Sequence, residues 1–172
     1  MYPKFLSLFT IAISCTATAA EVIALPKAWN DLHYGTCYSS LKAGMSDTYG
    51  ANFPEDENIV QSPRRLGFRN FVIASDTTSG ANAQRSVFEQ RGGQNWCVVL
   101  ASPPVADLIA GPVLISLQRP ITWSSVTQAP PGFPETKVIY KWDDKIRVYK
   151  PADCYTGRAG RWRSFDCNQA YR

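Results

Sequence analysis

Cysteine usage most restricts how this 172-residue chain can fold. Of its five cysteines, Cys15 lies in an N-terminal segment that has the pattern of a secretory signal peptide. The other four are an even set in an exported chain, which predicts two disulfides. Among the three possible pairings we favour Cys37 with Cys97 and Cys154 with Cys167, because the second pair brackets a predicted hairpin.

The N-terminal segment combines a positive charge at Lys4, an apolar run over residues 5–14 and small residues at 17–20. This order predicts that residues 1–20 are a signal peptide and that residues 21–172 form a single exported globular domain. The apolar run is too short and too often interrupted for a membrane anchor.

The compartment follows from the same features. An exported chain with two disulfides is expected to be periplasmic or secreted, and the lack of an Asn-x-Ser/Thr acceptor favours a bacterial periplasm. Lipidation at Cys15 stays open as an alternative.

A zinc site is disfavoured because no Cys-x-x-Cys pair occurs and His33 has no histidine partner, so no metal or cofactor is expected. The later apolar stretch over residues 105–117 is interrupted by Asp107 and Pro112, so no membrane span is expected.

Two short helices are predicted from apolar periodicity and glycine stops. The first spans residues 37–43 and is expected to end at Gly44. The second spans residues 81–91, where Ala83, Val87 and Phe88 form one stripe and two glycines follow. Short apolar runs predict strands and loops elsewhere. Strands are expected at 66–75, 96–101, 113–117 and 121–126, a helical turn at 105–110, and loops at 45–58 and 129–134.

Alternation is clearest near the C-terminus. Residues 137–142 and 145–150 alternate around Asp143-Asp144, which predicts a hairpin. Residues 154–156 and 162–167 predict a second hairpin that a disulfide would clamp. The predicted fold class is therefore α+β: strand-dominated, with a mainly antiparallel sheet, one or two short helices and two disulfides.

Positive charge is also concentrated at this end. Residues 21–136 hold eight Lys/Arg against ten Asp/Glu, whereas residues 137–172 hold nine against four, a net +5. The same region is rich in Tyr and Trp, and Arg, Tyr and Trp dominate binding energy when they are desolvated. The sequence therefore predicts a partner-binding face of six residues: Tyr140, Trp142, Arg147, Tyr149, Arg161 and Trp162.

Strand alternation limits this prediction, because residues two apart share one face of a sheet. If Tyr140 and Trp142 point into the core, the exposed set is Lys137, Lys141 and their cross-strand neighbours, and binding is mainly electrostatic. In either case the expected partner is another protein or an anionic glycan, and nucleic acid is not expected for an exported chain.

A second class of function is suggested by His33-Tyr34-Gly35-Thr36, a Ser-rich turn at residues 74–79 and Glu135. This set resembles the motifs of diphtheria-like ADP-ribosyltransferases, with the His and Tyr in transposed order. The resemblance implies an exported enzyme that transfers ADP-ribose or cleaves NAD, with His33, Thr36 and Glu135 lining its pocket. A conventional serine hydrolase is disfavoured, because no Gly-x-Ser-x-Gly motif occurs.

The small, basic, disulfide-tied sheet carries no recognisable catalytic set. The sequence therefore favours a non-enzymatic exported binding protein, with an exported enzyme as the rival class and a structural or envelope-assembly role as the third. An inhibitor, an immunity protein that neutralises a toxin, and the binding subunit of a toxin all fit this description.

Overall fold

The computed structural model describes residues 35–50, 59–79, 81–114, 116, 118–158 and 160–167. The predicted signal peptide, Cys15, His33 and residues 51–58 of the predicted loop lie outside the described residues. Within them the chain forms one α-helix, one 3-10 turn (Thr77–Ser79) and twelve strands. The helix α1 is Leu41–Tyr49, and the strands are β1 Cys37–Tyr38, β2 Ile59–Leu66, β3 Arg69–Asp76, β4 Ala83–Gln90, β5 Trp96–Val105, β6 Asp107–Ala110, β7 Val113–Leu114, β8 Arg119–Pro120, β9 Thr122–Val126, β10 Glu135–Asp143, β11 Val148–Arg158 and β12 Arg161–Phe165.

The strands form two five-stranded antiparallel sheets and one short ribbon of β7 and β8. The first sheet has the order β1-β5-β4-β3-β2, and the second has the order β12-β11-β10-β9-β6. The chain crosses from the first sheet to the second at Ala106, between β5 and β6. The predicted fold class is confirmed: the fold is strand-dominated and antiparallel, with a single α-helix in the described residues and two disulfides.

The two sheets enclose a common hydrophobic core. Trp123 of β9 is fully buried and meets Phe71 of β3 edge-on at 6.1 Å between ring centroids, and Tyr149 of β11 at 6.3 Å. Large rings from both sheets thus fill the space between them, which is where apolar burial stabilises the fold most. The buried members of this core are Phe71, Ile73, Val87, Cys97, Val99, Leu100, Leu108, Trp123, Val138, Tyr140, Tyr149 and Cys154.

The helix α1 covers the other face of the first sheet, where Met45 packs with Ala74, Phe88 and Val98. The central strands β3, β4 and β5 of the first sheet are therefore buried on both faces. This double coverage explains why several of its strands read as continuous apolar runs in place of alternating ones.

The helix starts later in the chain than the predicted helix at residues 37–43. The hydroxyl oxygen of Ser40 caps it by accepting a hydrogen bond from the backbone N–H of Ala43 at 3.1 Å. Gly44, which was expected to end the helix, lies inside it. A Cβ at Gly44 would come within 2.8 Å of the Tyr38 ring, so glycine permits this close packing.

The predicted helix at residues 81–91 is wrong, because these residues form β4, which pairs with β3 and β5. Val87 lies in the core between the sheets, whereas Phe88 packs near α1. A strand that is covered on both faces need not alternate between apolar and polar residues. The apolar residues of β4 therefore also match the spacing of a helical stripe. The predicted helical turn at 105–110 is also wrong, since it spans the crossing from β5 to β6.

Both predicted disulfides are present. The Cys37–Cys97 bond joins β1 to β5 at directly paired positions, and the Cys154–Cys167 bond joins β11 to the residues after β12. Both predicted C-terminal hairpins are confirmed, as β10–β11 and β11–β12. The first turn is longer than expected, since Asp143 pairs with Val148 across residues 144–147.

The remaining predicted strands at 66–75, 96–101 and 121–126 correspond to β3, β5 and β9. Within the predicted strand at 113–117, residues 113–114 form β7. No helix in the described part of the chain is long and apolar enough to cross a membrane.

Candidate anion-binding cleft

An open cleft lies at one end of the two sheets, where four turns meet. Its volume is about 640 Å³. The β2–β3 turn and the residues beside it contribute Phe68 and Arg69, and the β4–β5 turn contributes Arg91. Gln118 comes from the β7–β8 turn and Arg147 from the β10–β11 turn. Both sheets therefore supply walls of the cleft.

Glu89, near the end of β4, is fully buried and binds three arginines, two of which line the cleft. Its Oε1 accepts hydrogen bonds from Arg69 Nη1 at 2.6 Å and from Arg119 Nη2 at 3.1 Å. Its Oε2 accepts one from Arg91 Nε at 2.8 Å. Glu89 follows Val87 by two residues, so both side chains leave β4 on the face that meets the second sheet. We refer to these four residues, Glu89, Arg69, Arg91 and Arg119, as the arginine cluster.

Trp142 of β10 supports the arginine cluster from the second sheet. The guanidinium carbon of Arg119 lies 3.4 Å from the centroid of its ring, and that of Arg91 lies 5.6 Å away. The same ring meets Tyr149 edge-on at 5.0 Å, and the Tyr149 hydroxyl donates a hydrogen bond to the carbonyl of Pro120 at 2.7 Å. Cation–π contacts and aromatic packing thus restrict the positions of both arginines.

Glu89 remains ionised in spite of its burial. Burial alone would raise its pKa, but the hydrogen bond from Arg91 and the charge of Arg119 outweigh that effect, so its pKa lies below the ordinary value. Burial lowers the pKa of Arg119, and the charge of Glu89 opposes this shift. Because a guanidinium stays charged in proteins, one carboxylate faces three cations and the cluster carries a net +2.

The wall of the cleft is positive as well, since its three charged residues are Arg69, Arg91 and Arg147. The backbone of Arg147 has a left-handed φ of 58° at the end of its turn, and its carbonyl accepts a hydrogen bond from Arg91 Nη2 at 2.7 Å. Asp144 of the same turn accepts a hydrogen bond from Trp142 Nε1 at 2.8 Å and is not among the wall residues. Guanidinium groups fixed around an open cleft are suited to binding an anion.

The six residues predicted to form one binding face do not lie on one surface. Tyr140 and Tyr149 are fully buried and belong to the core, which corrects their predicted placement. Arg147 is exposed at the cleft, whereas Arg161 and Trp162 pair with Arg158 and Gly157 at the other end of β11. That strand has 11 residues, which correspond to roughly 35 Å at about 3.3 Å per residue. The face divides into two regions because β11 runs the length of the second sheet.

Trp142, the remaining residue of the predicted binding face, is half-buried and contacts the arginine cluster. The lysines of the alternative, electrostatic face are partly neutralised. Lys141 Nζ lies 2.9 Å from Asp153 Oδ2, and Lys150 Nζ lies 2.9 Å from Asp143 Oδ2. The exposed side of the β10–β11 hairpin therefore holds matched pairs of charges.

The arginine cluster is not apparent from the sequence, because the pattern of residues 81–91 predicts a helix. In the observed hairpin Phe71 pairs with Glu89, which brings Arg69 and Arg91 to the same end of the sheet. The two glycines after Arg91 were a usable signal, since such pairs form tight turns between strands as well as helix stops.

Of the residues that resemble an ADP-ribosyltransferase site, His33 lies outside the described residues. Thr36 precedes β1 in the first sheet, and Glu135 begins β10 in the second. No hydrogen bond or ion pair between Thr36 and Glu135 occurs in the part of the chain that the structure describes. Within that same part, no group of three or more His, Cys, Asp or Glu side chains is placed to hold a metal ion.

No protein-family model, curated protein or solved structure matches this chain. Fold and site together define a disulfide-stabilised protein of two antiparallel sheets with an arginine-lined cleft at one end. Its function has to be inferred from its own residues.

Proposed function

We propose that this protein is an exported binding protein that holds an anionic group of its partner in the arginine-lined cleft. Two disulfides indicate an oxidising, non-cytoplasmic compartment, for which the periplasm is our proposal. An inhibitor, an immunity protein or the binding subunit of a toxin would each use such a site for a stable contact.

The excess of positive charge at the cleft carries this proposal. Arg69 and Arg91 share a single carboxylate with Arg119, and Arg147 adds a further charge to the wall. An entering carboxylate, phosphate or sulfate would accept charge-assisted hydrogen bonds from guanidinium groups that already lie together. Arginine suits this role because its planar fork of donors matches such oxygens in pairs.

The cleft is also held in shape before any partner binds. Glu89 holds Arg69 and Arg91 through hydrogen bonds of 2.6 and 2.8 Å, and Trp142 packs against Arg119. Side chains that are already ordered lose less conformational entropy on binding, so more of the interaction energy appears as affinity. Glu89 and Trp142 are therefore proposed as positioning residues, with the exposed Arg147 in direct contact with the anion.

An NMR titration of the oxidised protein with acetate, phosphate and sulfate at constant ionic strength tests this proposal. We expect chemical-shift changes centred on residues 68–70, 90–93 and 147. The variant Arg147→Gln should weaken binding at least about fivefold, because it removes one charge-assisted contact.

The variant Arg161→Gln is the matched control, since it removes the same charge at the far end of β11. Its affinity for the anions should stay close to that of the wild type. Equal weakening by the two variants, or shifts spread over the whole surface, would show non-specific electrostatic attraction and contradict the proposal.

A further inference from the structure

Exposed apolar side chains occur on the segments that form the arginine-lined cleft or adjoin it. Phe68, which lines it, is 77% exposed, and Ile146, beside Arg147, is 50% exposed. Leu114 is 41% exposed, and its carbonyl accepts a hydrogen bond from the backbone N–H of Gln118, another wall residue, at 2.6 Å. The β2–β3 turn, the β10–β11 turn and the end of β7 therefore bring large apolar side chains to the same end of the molecule without burying them.

The turn that carries Phe68 holds it at the rim of the cleft. Gly67 has a left-handed φ of 64°, and a Cβ at this position would come within 2.9 Å of the Gln118 side chain. Glycine thus lets the β2–β3 turn pack directly against the β7–β8 turn. The close contact fixes the backbone beside Phe68, whose ring stays in water.

We infer that the cleft takes an acidic side chain of a protein partner whose neighbouring apolar residues pack on Phe68 and Ile146. This inference rests on the proposed function, since it specifies the source of the anion. Arginine and aromatic side chains are enriched among the residues that dominate binding energy in protein interfaces. Apolar contacts around the ion pair would exclude water from it and strengthen it.

An anionic glycan fits this surface less well. Its sulfate or phosphate groups would gain from the arginines, but its hydroxyl-rich faces would gain little from the aliphatic side chains of Ile146 and Leu114. Burying exposed apolar surface favours a partner that has apolar side chains of its own.

Two peptides of equal charge separate the two contributions. One is acetyl-Gly-Leu-Glu-Phe-Gly-amide, and the other is acetyl-Gly-Ser-Glu-Ser-Gly-amide. NMR titration of the oxidised protein should show that the apolar peptide binds at least about fivefold more tightly. The variant Phe68→Ser should remove this advantage, whereas Arg147→Gln should weaken both peptides.

The control variant is Phe133→Ser, because Phe133 is 58% exposed and lies in the loop at the other end of β10. It should leave the advantage of the apolar peptide intact. Equal affinity of the two peptides, with both still weakened by Arg147→Gln, would overturn this inference and leave the proposed function standing. Tighter binding of a sulfated disaccharide, insensitive to Phe68→Ser, would do the same. Binding of neither peptide would overturn this inference, and an absence of shifts with acetate, phosphate and sulfate as well would overturn the proposed function.

Discussion

Two sets of ion pairs in this protein have similar distances and opposite surroundings. Lys141 and Asp153 lie 2.9 Å apart on the β10–β11 hairpin, with side chains that are 58% and 39% exposed. Glu89 contacts its three arginines at 2.6 to 3.1 Å and is 0% exposed. Water screens the first pair and competes for both partners, whereas a buried carboxylate depends on its partners for all its stabilisation. The two sets therefore differ in their effect on stability because of their burial and their ratio of charges, more than because of their distances.

The two sets should differ most in the free energy of unfolding that is lost when the acid of each set is removed. The variant Glu89→Ala leaves the buried Arg119 without its counter-charge, and we expect a loss of about 3 to 5 kcal/mol in the free energy of unfolding. The variant Asp153→Ala removes an acid from an exposed pair and should cost less than about 1 kcal/mol. Urea denaturation at neutral pH measures both losses, and similar values would refute the contrast.

The arginine cluster should also set how the protein responds to acid. The pKa of Glu89 is lower in the folded state than in the unfolded chain, where it is about 4.3, so the unfolded chain takes up the proton first as pH falls. The stability that Glu89 contributes is therefore complete above about pH 5 and is lost as pH falls through its folded pKa.

The comparison with Glu89→Gln isolates this effect, because glutamine keeps most of the shape of the side chain and does not titrate. Urea denaturation over about pH 3 to 7 should show the wild type losing more stability in acid than the variant. Parallel curves for the two proteins would contradict the assignment of this pH dependence to Glu89.

The sequence was most informative for the β10–β11 hairpin, whose residues alternate between core and water. This hairpin has one face in the core and one in solvent. Both of its strands, β10 and β11, were therefore predictable from a period of two. The pairing of Cys154 with Cys167 followed from the second predicted hairpin, which is β11–β12. The strand β4 was not predictable in this way, because α1 covers one of its faces and the second sheet covers the other.

The candidate site was harder to predict because its parts are distant in the sequence. Arg69 begins β3, whereas Arg91 and Arg147 lie in two different turns, and only the pairing of strands and the packing of two sheets bring them together. Arg147 and Trp142 were predictable from the local density of basic and aromatic residues in the sequence. It did not reveal Glu89, since a single acid among many gives no signal until its burial is known.

The smallest expected effect is the coupling energy between Lys141 and Asp153. Added salt should separate this exposed pair further from the buried arginine cluster. A double-mutant cycle with Lys141→Ala and Asp153→Ala should give a coupling energy of about 0.5 kcal/mol or less at low salt. In 1 M NaCl the screening length falls to about 3 Å, so this coupling should vanish. The loss of stability caused by Glu89→Ala should persist in the same salt, because ions do not reach a carboxylate that is 0% exposed. If salt abolished both effects, the arginine cluster would be open to solvent, and its role in shaping the cleft would have to be abandoned.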